Sequence, residues 1–135
     1  MPIPDGGVDL YIRQDRYPAQ FAADVPIARS AMMAVTQRPL ARVALGGPST
    51  AAAWRSTPSW FIFGGGDWSI PLALHRSMAE RAKARRTVEI PGASHAVMES
   101  HPAAVVDLIV QEATAVVSSA PGGHPVDAGS DWIRS

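Results

Sequence analysis

The chain has 135 residues, 12 Lys+Arg against 12 Asp+Glu, 47% hydrophobic residues and no cysteine. That length suits one soluble domain or part of a larger one, and a zero formal charge with no basic cluster beyond Lys83-Ala84-Arg85-Arg86 excludes the electrostatic footprint of a nucleic-acid binder. Without cysteine there is no disulfide framework or thiolate site, and without a leader or an apolar run near the roughly 18 residues of a bilayer span the reading is a cytoplasmic protein with no membrane association.

The first 24 residues open with proline and glycine and pass through an alternating stretch, Val8-Asp9-Leu10-Tyr11-Ile12, which predicts a short strand leading to a loop or short helix. From Pro26 the pattern turns helical. Proline suits a first turn, and Ile27, Ala31, Ala34 and Val35 recur at spacings of three and four until Pro39 stops the helix. A second short helical piece is expected over 40–45, closed by Gly46-Gly47-Pro48-Ser49.

Ser59-Trp60-Phe61-Ile62-Phe63, led by Pro58 and closed by Gly64-Gly65-Gly66, reads as a strand buried on both faces, as in a parallel sheet. Pro71 starts a helix with Leu74, Met78 and Ala82 as its apolar stripe and Arg76 paired to Glu80 on its outer face. Lys83, Arg85 and Arg86 follow where the helix dipole favours cations. Thr87-Val88-Glu89-Ile90 is a second strand, stopped by Pro91-Gly92, and His101-Pro102 begins a last helix with Val105, Leu108, Ile109, Ala113 and Val116 on one side. Strand, helix, strand, helix is the order of an α/β domain with a parallel sheet. Beyond Ser118 the composition predicts a disordered tail.

Catalytic groups of parallel sheets gather at the carboxyl ends of strands, where loops converge on one crevice. Asp67 follows the first strand and His95 the second, one strand-helix-strand step apart. A carboxylate accepting from imidazole Nδ1 fixes the tautomer and steadies the imidazolium formed when Nε2 takes a proton. Asp67 and His95 are therefore candidates for two thirds of a catalytic triad. Trp68, beside the acid, is a candidate wall of the site, while Trp54 and Met32-Met33 either line a pocket or pack on the body. His101 reads as an N-cap or surface residue, and a metal site from His95 and His101 lacks a third ligand at helical or hairpin spacing. Gly64-Gly65-Gly66 lacks the context of a phosphate cradle and reads as a permissive turn.

Residues 58–112, with Gly-Gly-Asp-Trp-Ser-Ile-Pro, Met-Ala-Glu-Arg-Ala, Val-Glu-Ile-Pro-Gly-Ala-Ser-His-Ala-Val-Met and Ser-His-Pro, resemble the C-terminal third of an α/β-hydrolase. They are closest to bacterial relatives of the plant methylesterase and hydroxynitrile lyase group. Phe21-Ala22-Ala23-Asp24-Val25-Pro26 and Thr36-Gln37-Arg38-Pro39-Leu40-Ala41 are similar to the helical lid those proteins insert before the acid-bearing strand. The resemblance covers about residues 8–115. It implies the C-terminal portion of an α/β-hydrolase fold, with a lid or cap segment over 1–57, a core segment over 58–117 and a tail over 118–135. It also implies an apolar acyl pocket shaped by the lid, with Asp67 as the acid and His95 as the base of a serine-type ester hydrolase.

The nucleophile elbow Gly-x-Ser-x-Gly and the oxyanion-hole loop, upstream of the lid in that family, have no counterpart in these 135 residues. Gly47-Pro48-Ser49-Thr50-Ala51 is the nearest approach, but Ser49 has Pro48 beside it and no strong strand before it, so it reads as a lid-to-strand loop. The expectation is a truncated esterase lineage, inactive alone and needing no cofactor or metal. Its partners would be a small-molecule ester in the complete enzyme and either a complementing N-terminal chain or a second copy of itself. A non-catalytic interaction module and a lyase of the same fold remain rival readings.

Overall fold

The computed structural model describes residues 2–3 and 7–119, and the chain parts into two compact units between Pro102 and Ala103. The segment before Trp60 holds short helices and a small antiparallel sheet. Helix α1 (Tyr17–Phe21) starts with proline in its first turn, and α2 (Ile27–Thr36) follows directly after Pro26. The buried residues of α2 are Ser30 and Ala34, one turn apart, while Ile27 and Val35 of the expected apolar stripe lie exposed. Ser30 is tolerated inside because its hydroxyl donates to Ile27 O at 3.1 Å. Tyr17, Ala22, Val25, Ala34 and Ala96 form a core against which Ile12, Phe21 and Met33 pack.

Strand β2 (Gly7–Leu10) pairs antiparallel with β1 (Pro2–Ile3) on one side and with β3 (Leu40–Ala41) on the other. The helix expected over 40–45 is thus shortened to α3 (Arg42–Gly46), because its first two residues are taken by the sheet. Gln37 is the physical reason. Ile12 N–H donates to its Oε1 at 2.9 Å, and its Nε2 donates to Ile12 O at 2.8 Å and Ala34 O at 2.9 Å. This amide acts as a surrogate strand partner and carries the chain leaving α2 alongside β2, so Leu40 meets Leu10 in register.

From Trp60 the expected order holds. Strand β4 (Trp60–Gly64) runs parallel to β5 (Arg86–Ile90), in register from Trp60 opposite Arg86 to Gly64 opposite Ile90, with α4 (Leu72–Arg81) between them in sequence. Burial of β4 on both faces is not what is found: Phe63 and Gly64 are buried, whereas Trp60, Phe61 and Ile62 are half-buried. The sheet explains it, since β4 and β5 pair only with each other among the described residues.

The buried face of α4 is also one residue away from the expected stripe. His75 and Ala79 are inside, Leu74 is exposed, and Arg76 forms its bidentate pair with Glu89 of β5 rather than with Glu80. The helix ends with Lys83 at φ 51°. Lys83 N–H donates to Glu80 O and Ala84 N–H to Ala79 O, the two bonds of a Schellman motif that normally recruits glycine. A short α5 (Val97–Ser100) leads to α6 (Pro102–Ser119). Ile109 and Val116, expected on the apolar side of α6, are exposed. Of the expected tail, Ser118 and Ser119 belong to α6 and residues 120–135 lie outside the described residues. No helix among the described residues is long and apolar enough to cross a membrane.

Candidate active site

The loop after β5 is gripped from two sides. Gly92, at φ 73°, turns the chain, and Gly66 N–H donates to Ala93 O at 2.9 Å. A Cβ on Gly64 would collide with the carbonyl oxygens of Ala93 and Ser94, so only glycine lets this loop cross the end of β4. On the other side Ala96 is fully buried in the core built by α1 and α2, and its N–H donates to Phe21 O at 3.1 Å. His95 lies between these two anchors, so its backbone is fixed before its side chain makes any contact.

A second set of bonds ties the same loop to the α1–α2 segment. The Asp24 carboxyl is pushed up by burial, but hydrogen bonds from Ser94 and Ser100 outweigh this and hold it below the usual carboxylate range. His101, the residue after α5, places Nδ1 2.9 Å from Ser100 Oγ and 3.5 Å from the Asp24 carboxylate. It thus closes α5 and directly precedes Pro102, the first residue of the next helix. Arg29 adds a bidentate pair to Glu99 at 3.0 Å, exposed enough to orient α2 more than to stabilise it.

Asp67 stands where the turn after β4 enters the segment leading to α4, and its side chain is only 2% exposed. Its Oδ1 accepts the backbone N–H groups of Ser69 at 2.7 Å and Ile70 at 3.1 Å. Its Oδ2 lies 2.7 Å from His95 Nδ1 and 2.8 Å from His75 Nε2. Burial pushes this carboxyl up, yet the bonds from His75, His95, Ile70 and Ser69 outweigh burial and hold it below the usual range. The group is thus an ionised acceptor in a nearly dry place, with four donors directed at it.

The two residues singled out in the sequence, Asp67 and His95, are brought into contact. An ionised Asp67 accepts, so His95 carries its proton on Nδ1 and leaves Nε2 for proton transfer. The His95 ring is partly open to solvent and packs on Phe21 at 4.5 Å between centroids. Phe21 also lines a mainly apolar cavity of about 440 Å³ with Tyr11, Ile12, Tyr17, Leu40 and Leu45, whose polar lining is Gln37 and Arg38. Trp68 is 80% exposed and borders a different hollow with Arg16, Ala19 and Gln20. Trp54 lies under the guanidinium groups of Arg55 and Arg81, while Met33 packs on the core and Met32 points outward. Ser49 sits in an exposed loop with its hydroxyl donating to Ala51 O at 2.8 Å, and no strand precedes it directly.

His75 was missed by sequence reasoning. It lies in the first turn of α4, eight residues after Asp67 and one turn before Ala79, and a shift of the α4 stripe by one residue would have brought it inward. Asp67, His75 and His95 offer ligand atoms within 4.8 Å of one another, a set that suggests a metal site. The separations argue otherwise: a tetrahedral ion with bonds near 2.0 Å keeps its donors about 3.3 Å apart, whereas Oδ2 is 2.7 and 2.8 Å from the two imidazole nitrogens. Those are hydrogen-bond lengths.

The sequence profile described as "Alpha/beta hydrolase family" matches residues 2–108. No match was found among the curated proteins. Among solved structures, the crystal structure of polyneuridine aldehyde esterase superposes with a TM-score of 0.69 at 19% identity, covering 82% of this chain and 46% of that one. A mutant of that esterase gives 0.68 at 17% identity, covering 82% and 45%. At these identities the likeness is one of fold, that of a partial α/β-hydrolase. The chain spans about half the length of the structures it matches.

Proposed function

Because this chain belongs to the alpha/beta hydrolase family, we propose that it is the lid and acid-base part of a serine-type carboxylic ester hydrolase. The observation that carries this reading is the 2.7 Å bond from His95 Nδ1 to an ionised, buried Asp67 at the carboxyl ends of two neighbouring parallel strands. A serine supplied from outside these 135 residues would give its proton to His95 Nε2 as its oxygen attacks the ester carbonyl. Asp67 steadies the resulting imidazolium, and backbone amides from the same outside segment hold the oxyanion. The proton then passes from His95 to the leaving alcohol, and water releases the acid by the same steps. The cavity of about 440 Å³ behind Phe21 suits an apolar acyl group. No step calls for a cofactor or a metal.

Without nucleophile or oxyanion hole, the chain by itself supplies too little of the machinery for turnover. The test is hydrolysis of a short-chain aryl ester by the purified 135-residue protein and by the same protein joined to the segment encoded directly upstream of Met1. The expected result is no turnover from the first and turnover from the second. Robust turnover by the 135 residues alone, abolished by Ser49→Ala, would overturn the reading.

One observation favours pairing with a complementing chain or with a second copy, of which the complementing chain alone could bring the missing parts. Strands β4 and β5 have no third strand beside them among the described residues, and Trp60, Phe61 and Ile62 are half-buried. Such edges invite strand addition. Size-exclusion chromatography decides: a monomer that melts cooperatively counts against a partner requirement.

A further inference from the structure

We propose that His75 is a positioning residue for the acid-base pair, holding the Asp67 carboxylate in the rotamer that orients the His95 imidazole. The inference rests on the reading of Asp67 and His95 given above and deepens it. His75 reaches Oδ2 at 2.8 Å, the same oxygen that His95 approaches at 2.7 Å. A carboxylate oxygen has two lone pairs, and here both are taken, one by each imidazole. With Ser69 and Ile70 on Oδ1, every acceptor site of Asp67 is filled.

The bond to His75 differs in origin from those of Ser69 and Ile70. Ser69 and Ile70 belong to the turn that carries Asp67 itself, so they cannot by themselves fix the carboxylate relative to the rest of the fold. His75 belongs to α4, and its ring is 11% exposed and stacked on Phe63 of β4 at 4.7 Å with planes 7° apart. It therefore connects the carboxylate to a rigid helix and to the strand beneath. Removing that donor leaves Oδ2 with a vacant lone pair in a nearly dry site, and the carboxylate then gains by rotating toward water and away from His95. Even if Asp67 and His95 stay intact, the tautomer and ring angle of His95 lose their definition.

Nitrogen-resolved NMR of the imidazoles in the uniformly labelled 135-residue chain tests this without needing catalysis. The expected wild-type result is a slowly exchanging proton on Nδ1 of the His95 ring. His75→Phe keeps the ring stack on Phe63 but has no donor, and the His95 Nδ1–H should exchange with water about tenfold faster, in line with the loss of one charge-assisted hydrogen bond. His75→Gln, which retains an N–H donor, should restore slow exchange. A folded His75→Phe protein with wild-type exchange at His95 overturns the proposal, because packing alone would then explain His75. Should His75→Phe fail to fold, His75→Gln decides: slow exchange supports the proposal and fast exchange in a folded protein overturns it. Asp67→Asn separates the two levels of the argument. If it leaves the His95 Nδ1–H unchanged, the acid-base pair itself is wrong, whereas a response to Asp67→Asn but not to His75→Phe removes only the role of His75.

Discussion

Replacing Asp67 by asparagine keeps the shape of the side chain and removes its charge. In the wild type four N–H donors converge on a carboxylate that is 2% exposed. A hydrogen bond to a charged group contributes about 1 kcal/mol more than a neutral one, so four of them amount to about 4 kcal/mol, against which stands the cost of burying the charge. Burial raises the Asp67 pKa and the four bonds lower it, with the bonds prevailing, so a surplus remains in favour of the ionised form. Asp67→Asn forfeits that surplus and should therefore melt below the wild type, by roughly 3–5 °C for each 1 kcal/mol lost in a domain of this size. The folded-state pKa is depressed, so the carboxylate's contribution is present above the unfolded value near 4 and is lost as pH falls through the folded value. Thermal unfolding of both proteins from about pH 7 down to about pH 2 reads this directly. The gap in Tm should be full at neutral pH and close in acid. A gap that persists unchanged into acid, or no gap at neutral pH, would refute the reasoning.

Three further outcomes follow from the scaffold around the pair. Gly64→Ala places a methyl group against the carbonyls of Ala93 and Ser94 and should cost at least about 2 kcal/mol in urea unfolding, with wild-type stability contradicting the close crossing. Lys83→Gly relieves a side chain at φ 51° and should raise stability by about 0.5–1 kcal/mol; a loss would mean the Lys83 side chain contributes more than the strain costs. Gln37→Leu removes three bonds to Ile12 and Ala34, so it should destabilise by about 1–3 kcal/mol and speed exchange of the Ile12 amide; an unchanged Ile12 amide would show the clamp to be dispensable.

Much of the fold was legible in the sequence because its signals are local. The aromatic run at Trp60 to Phe63 and the β-branched run ending at Ile90 are bounded by Pro and Gly, so both strands and the order around them could be read. The spacing of Asp67 and His95 followed from that order alone, and their contact is what the parallel register produces. What could not be read depends on long-range contacts. Leu40 enters a strand because Gln37 reaches back 25 residues to Ile12, and nothing local marks it. His75 hides in a charged helix whose apolar residues suggest a different inner face; Leu74 is outside because His75, stacked on Phe63, and Ala79 take the inner face. Burial of β4 was overestimated because an aromatic run suggests covered faces, while the described sheet has only two strands to cover them.

The most direct test of the central claim is kinetic. When these 135 residues are joined to a segment that supplies the nucleophile, ester hydrolysis should fall about 10⁴-fold in kcat with Asp67→Asn and by a comparable factor with His95→Ala, while KM changes little, since the groups act in the transition state and not in binding. Turnover that survives either substitution at the wild-type rate would contradict the assignment of Asp67 and His95 as the acid and base of this site.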